Sequence, residues 1–205
     1  MGGIAVLFIL SIYIVITVVL VIKVKGLPYK AVALLVMLLI PTADAIYGRY
    51  KLKQMCAAEA GLKVYKVAHN VEGFMDGDSQ EYWVKIGGFQ YIEGNLANGT
   101  VTRYFKRDGQ IVFKENVNPK SQYRIDSKYI GWIKDSYMRH QMFIKNLNTE
   151  EILATDTQIA FNGGWAERFL AQFSDAGGGA VVWCANVELN PLVRHQNLVK
   201  SSLKL

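Results

Sequence analysis

Hydrophobic and polar positions sort the chain into an apolar N-terminal part and a long alternating remainder. From Gly3 to Ile22 no charged residue occurs and nearly every side chain is apolar. A run of about 20 residues, rising about 1.5 Å each, matches the roughly 30 Å hydrocarbon core of a bilayer. Ile14, Ile16, Thr17, Val18 and Val19 are β-branched and mediocre helix formers in water. In lipid that preference is overridden, because each backbone N–H and C=O has to be paired within the segment. Lys23-Val24-Lys25-Gly26-Leu27-Pro28-Tyr29-Lys30 then breaks the run, with lysines able to reach headgroup level. A second apolar run extends from Ala31 to about Tyr47, interrupted by Pro41, Thr42 and Asp44 and closed by Arg49, Lys51 and Lys53. The pattern predicts a two-span transmembrane hairpin over residues 1–48 and a juxtamembrane helical connector over 49–61, ended by Gly61.

Beyond Gly61 the period changes to two. Leu62 to Val67 alternates apolar and basic residues, as a strand with one wet face does. Asn70 to Gln80, with Gly73, Asp76, Gly77 and Asp78, reads as a loop. Strand signals dominate from Tyr82 to Phe161. Asp108-Gly109 between two alternating runs predicts a tight hairpin. Tyr137 to Lys145 and Ile152 to Phe161 predict a second, and Gln122 to Asp135 gives one or two further strands. Trp165, Phe169 and Phe173 recur at helical spacing, predicting an amphipathic helix packed on the sheet. The glycine-rich run 174–179 reads as a turn, Ala180 to Cys184 as a last strand, and 191–205 as a polar tail. The expected fold is a membrane-anchored α+β protein: the hairpin, then a mostly antiparallel β-rich domain over 62–190 with one packed helix.

Charge changes the picture of partners. The net charge is +6, but six basic residues flank the apolar runs against the single acid Asp44, leaving 17 basic and 16 acidic residues beyond. The basic excess belongs to the membrane flanks, so no nucleic-acid face is expected. The N-terminal run has no preceding Lys or Arg, is too long for a signal core and lacks a prompt small-residue cleavage site, so it is expected to stay as an anchor. Its uncharged start and the lysines of the hairpin loop favour both ends outside, whereas Arg49, Lys51 and Lys53 pull the other way. Two cysteines, Cys56 and Cys184, stand far apart without CxxC or zinc spacing. A bridge between them would suit an exported domain; two buried thiols are the alternative. The resulting expectation is a two-pass membrane protein whose domain is exported across the membrane.

Candidate chemistry is sparse. No nucleophile elbow, HExxH, Walker or paired-carboxylate signature occurs, so no catalytic residue, cofactor or metal ligand is assigned and an enzyme is not expected. Asp76-Gly77-Asp78 lacks the remaining ligands of a calcium loop. His140 shares a strand face with Met138, Met142 and Ile144, where a hydrogen-bonded core histidine is the plainer reading than a ligand. Asp44, an ionisable residue near the exit of the second run, together with Tyr47 and Arg49, is a candidate membrane or partner contact. Gly163, Gly164 and Trp165 form a turn that is a second candidate contact.

Gly48-Arg49-Tyr50-Lys51-Leu52-Lys53-Gln54-Met55-Cys56-Ala57-Ala58-Glu59-Ala60-Gly61-Leu62-Lys63-Val64-Tyr65 resembles the juncture after the last span in a group of small, uncharacterised bacterial membrane-anchored proteins. Asn162-Gly163-Gly164-Trp165-Ala166-Glu167-Arg168 is similar to a second segment of that group. The resemblance implies a bacterial source and a recurring architecture, and brings no activity. The expected role is therefore a non-enzymatic accessory or structural subunit of a membrane complex, in contact with the bilayer and a membrane-protein partner. A membrane-resident immunity protein and a small-molecule or lipid sensor are the alternatives; the last requires an apolar pocket with a few convergent polar groups.

Overall fold

The computed structural model describes residues 2–77, 79–95, 100–133, 136–171, 181–184 and 190–205. Asp78, Asn98-Gly99, Phe173 and the glycine-rich run 174–179 lie outside them. The fold is α+β, with a large, mostly antiparallel sheet and several helices. It divides into two compact units: Met1–Ala58 with Gly131–Arg139 and Ile159–Ala185, and Glu59–Ile130 with His140–Gln158 and Asn186–Leu205. The two later segments of the first unit thus group with the N-terminal helices, where the linear reading placed them with the rest of the sheet domain.

The first unit contains three helices, α1 (Gly2–Lys23), α2 (Leu27–Leu39) and α3 (Ala43–Glu59). The α1–α2 turn falls at Gly26, and Pro28 occupies the first turn of α2, where its missing N–H costs nothing. The Tyr13 hydroxyl donates to the Met37 carbonyl, tying α1 to α2. The second apolar run is not one straight helix. It breaks at residues 40–42, and α2 and α3 are bent by 57°. Pro41 sits in the break, as its ring and missing donor require. Among the described residues no single helix is long and apolar enough to cross a membrane; the bent pair α2 and α3 together has the length and composition to do so, and Ser11–Lys23 of α1 is a shorter apolar helical stretch. The same unit holds α5 (Trp165–Ala171) and β9 (Val182–Trp183), which pairs with Ala160 and Phe161.

The second unit holds most of the sheet. The strands are β1 (Gly61–Val64), β2 (Gly73–Met75), β3 (Tyr91–Asn95), β4 (Val101–Arg107), β5 (Gln110–Lys114), β6 (Tyr123–Ile133), β7 (Tyr137–Asn146) and β8 (Ile152–Phe161), in the order β1-β8-β7-β6-β2-β3-β4-β5, with residues 131–133, 137–139 and 159–161 belonging to the first unit. β4 and β5 turn through Asp108 and Gly109, both at positive φ (51° and 81°), the geometry that a two-residue hairpin loop demands. The β7–β8 loop is an Asx turn in which Asn146 Oδ1 accepts from the Asn148 N–H at 2.8 Å.

Three elements depart from the sequence reading. β2 lies inside the expected 70–80 loop and pairs in parallel with β3 and β6; three buried residues are too few to show a period. α4 (Gln80–Lys85) opens the expected strand region and buries Trp83 and Val84. The expected polar tail is α6 (Pro191–Ser202), started by Asn190, whose side chain accepts from the Leu192 N–H at 3.0 Å, with Pro191 in the first turn. α6 buries Leu198 and Val199, and Leu203 beyond it bridges to Ala68. One core gathers Phe74, Trp83, Phe89, Ile92, Ile144, Leu153, Leu198 and Val199 from the sheet, α4, the α4–β3 loop and α6.

Candidate functional site

In the first unit the structure brings most of the candidate contact residues together. Asp44, in the first turn of α3, accepts the Trp165 backbone N–H on Oδ2 at 2.6 Å. That N–H is one of the unpaired donors at the start of α5. Glu167, three residues beyond Gly164, reaches back to accept the Gly164 N–H at 2.9 Å, which is the returning half of a capping box. Glu167 also pairs with Arg49, and the Trp165 indole N–H donates to the Ile40 carbonyl at 3.3 Å. Gly163 and Gly164 are buried, so these glycines pack inward; of the three turn residues Trp165 keeps an outward face, 48% exposed. Tyr47 is exposed. The aromatic stripe of α5 is not buried as expected: α5 has no buried residue among those described. The Tyr137 hydroxyl donates to the Gly48 carbonyl at 3.0 Å, and Cys56 and Cys184 are joined in a disulfide.

In the second unit a cleft of about 620 Å³ opens beside the core. β2 and the turn into α4 supply Asp76, Gly77 and Ser79; β6 supplies Ile125, Asp126 and Ser127; β7 supplies His140 and Met142; α6 supplies Pro191, Leu192 and His195. The turn at Asp76 is held by Gln80, whose amide donates to the carbonyls of Asp76 and Gly77, both at 2.7 Å. Asp76 is buried, and its Oδ2 lies 3.5 Å from His195 Nε2. The His195 ring stands edge-on to Trp83, centroids 5.8 Å apart. Its neighbour Arg194 is locked by a buried ion pair, Nε to Asp156 Oδ2 at 2.8 Å and Nη2 to the Asp156 carbonyl at 3.1 Å. That pair fixes the rotation of α6 and so places His195 in the wall.

Asp126 accepts from Arg124 at 2.7 Å and stands 4.0 Å from Lys145, which also pairs with Glu150. No Lys or Arg lines the cleft among the described residues. His140 is held below its ordinary pKa near 6.5 by burial and then by the charge of Arg194, with Asp156 opposing. It is therefore neutral at pH 7 and offers one ring nitrogen as an acceptor. Among the described residues no three His, Cys, Asp or Glu side chains are arranged to hold a metal ion. The cleft can bind and orient a small molecule by charge, hydrogen bonds and apolar contact.

A separate polar cluster is structural. Glu93 on β3 is fully buried and accepts from Arg103 Nε at 2.9 Å and from the backbone N–H groups of Lys120 and Ser121 at 3.0 and 2.9 Å. Burial pushes its carboxyl up, but the hydrogen bonds from Ser121, Arg103 and Lys120 outweigh it and hold the group below 4.5.

Sequence reasoning placed His140 on a largely buried face but missed its company. Asp76 lies in the expected loop 70–80 and His195 in the expected polar tail 191–205, so the sequence points to neither as a site residue. The N-cap and proline at 190–191, followed by the apolar residues Leu192, Val193, Leu198 and Val199, was the available signal. No protein-family model, curated protein or solved structure matches the chain.

Proposed function

We propose that this is a non-enzymatic, membrane-anchored accessory protein of a bacterial membrane complex, acting through protein–protein contacts. The observation that carries the reading is the exposure of α1 and α2. α2 has no buried residue, and Ile14, Val15, Ile22, Leu27, Leu35 and Leu38 are all more than half exposed. Apolar helices that bury so little of themselves within the chain have a large favourable transfer energy into lipid or against a partner, about 25 cal/mol per Å² of apolar surface. In this reading α1 is one span, and α2 with the start of α3 is a second, broken one. The break is tolerated because its freed backbone groups find partners such as the Ile40 carbonyl, which takes the Trp165 indole N–H. The Cys56–Cys184 disulfide supports placing the domain on the periplasmic side of the inner membrane, where such bonds persist.

The test is purification of a C-terminally tagged chain from its native cell in mild detergent, after a carbonate wash of the membranes. Retention through the wash and recovery with a membrane protein in constant stoichiometry are expected. Release by carbonate would overturn the anchor, and recovery alone would overturn the accessory role.

A further inference from the structure

We infer that the outward face of α3 binds the headgroups of anionic phospholipids and holds the helix along the surface of the bilayer. The inference rests on the membrane anchor proposed above and names the lipid that the exit of that anchor recognises.

Burial divides α3 into two faces. Ala45, Gly48 and Leu52 are buried, and their three- and four-residue spacing puts them on one side of the helix. That side is packed: Gly48 leaves no room for a side chain against the Phe161 ring, and Ala45 abuts Gly164. The opposite side carries Ile46, Tyr47 and Tyr50, which are 59%, 66% and 61% exposed. Lys51 and Lys53 flank them and are exposed as well. Apolar and aromatic residues bordered by lysines on an outward helix face suit a helix lying in the headgroup layer. Tyrosine rings there sit between acyl chains and water, and lysine stems lie over apolar matter while their ammonium groups reach the phosphates.

Continuity favours lipid over another protein as the occupant. The face follows directly on α2, which has no buried residue and in the proposed anchor forms most of the second span. The helices are bent by 57°, so an α2 standing across the bilayer turns α3 towards its plane. Trp165, whose indole N–H reaches the Ile40 carbonyl at the break, is 48% exposed and adds another interfacial ring at that level.

Charge selects the headgroup. The two carboxylates of α3, Asp44 and Glu59, stand in its first turn and at its last residue, and Asp44 accepts the Trp165 N–H. Arg49 is paired with Glu167, whereas among the described residues neither Lys51 nor Lys53 enters an ion pair; the Lys51 ammonium stands over the Tyr137 ring, 5.6 Å from its centroid. Phosphatidylglycerol brings the negative charge that these two ammonium groups lack, whereas zwitterionic phosphatidylcholine carries its own cation beside its phosphate.

The experiment incorporates the detergent-purified full chain into phosphatidylcholine vesicles carrying a trace of spin-labelled phosphatidylglycerol or spin-labelled phosphatidylcholine. Electron spin resonance measures how much of each is immobilised against the protein. Phosphatidylglycerol is expected to be favoured at least twofold. Lys51→Gln with Lys53→Gln should remove at least half of that preference, and Lys23→Gln with Lys25→Gln, at the end of α1, should leave most of it. All four lysines are exposed, so both variants should enter the vesicles as the wild type does. A chain that enters the vesicles without preferring phosphatidylglycerol, or whose preference depends on Lys23 and Lys25 instead of Lys51 and Lys53, would overturn the inference, leave the anchor standing and free the face for an acidic protein. A chain that the vesicles do not take up would overturn the anchor, and the inference with it.

Discussion

At Gly164 a single added carbon would lie 2.6 Å from Asp44 Oδ1, 2.8 Å from the Ala45 Cβ and 2.9 Å from the Ala45 backbone nitrogen. A side-chain oxygen could turn away, but the backbone of α3 could not without shifting the helix. Gly164→Ala is therefore expected to destabilise the first unit by about 1–3 kcal/mol, the usual cost of overpacking. Limited proteolysis of the detergent-purified chain checks this: the variant should be cut sooner within 131–171, and equal protection would refute the close packing. Glu93 and His140 make a second prediction at the same scale. Both are held below their ordinary values, near 4.5 and 6.5, in the folded chain. Each group thus binds protons more readily when unfolded, and stability is greatest above those values and declines as pH falls through them. Unfolding midpoints should drop on acidification from pH 7 to 5, and further from 5 to 3. His140→Gln should flatten the first decline and Glu93→Gln the second. A wild-type chain equally stable at pH 3 and 7 would contradict this.

Among the elements, α6 separates what a local pattern can tell from what it cannot. Its start was written in Asn190-Pro191, yet its polar residues suggested a tail. The reason is that Arg194, His195 and Ser202 are buried among partners far away in sequence. Arg194 meets Asp156, and such a pairing changes a polar helix face into a buried one. Leu198 is fully buried in the core, so Leu198→Ala should cost about 2–5 kcal/mol, as core truncations do. Denaturant unfolding of the variant measures that cost, and a change below about 0.5 kcal/mol would show the helix to be peripheral. The hairpins at Asp108-Gly109 and Asn146–Glu150, by contrast, were readable because the turn residues and the period-two pattern act locally. β2 was not, since its burial depends on β3 and β6 lying on either side.

For the molecule as a whole, the disulfide between Cys56 and Cys184 closes a loop with a sequence separation of 128. A link over that separation removes much of the freedom of the unfolded chain, and Cys184→Ser is expected to lower stability by about 2–5 kcal/mol. The same bond reports compartment. Alkylation in intact cells should modify neither cysteine, and both should react only after denaturation and reduction; two reactive thiols at the outset would place the domain in a reducing compartment, against the periplasmic proposal.

The α+β class, the mostly antiparallel sheet, the β4–β5 and β7–β8 hairpins and the helix at Trp165 follow from sequence alone, because periodicity and turn chemistry are properties of neighbouring residues. The break at Pro41 into two bent helices, the parallel strand β2, the burial of α6 and the grouping of Asp76, Asp126, His140 and His195 around one cleft came only with the tertiary structure. Those features depend on which distant segments meet, and a residue's partners across the fold leave no period in the chain to read.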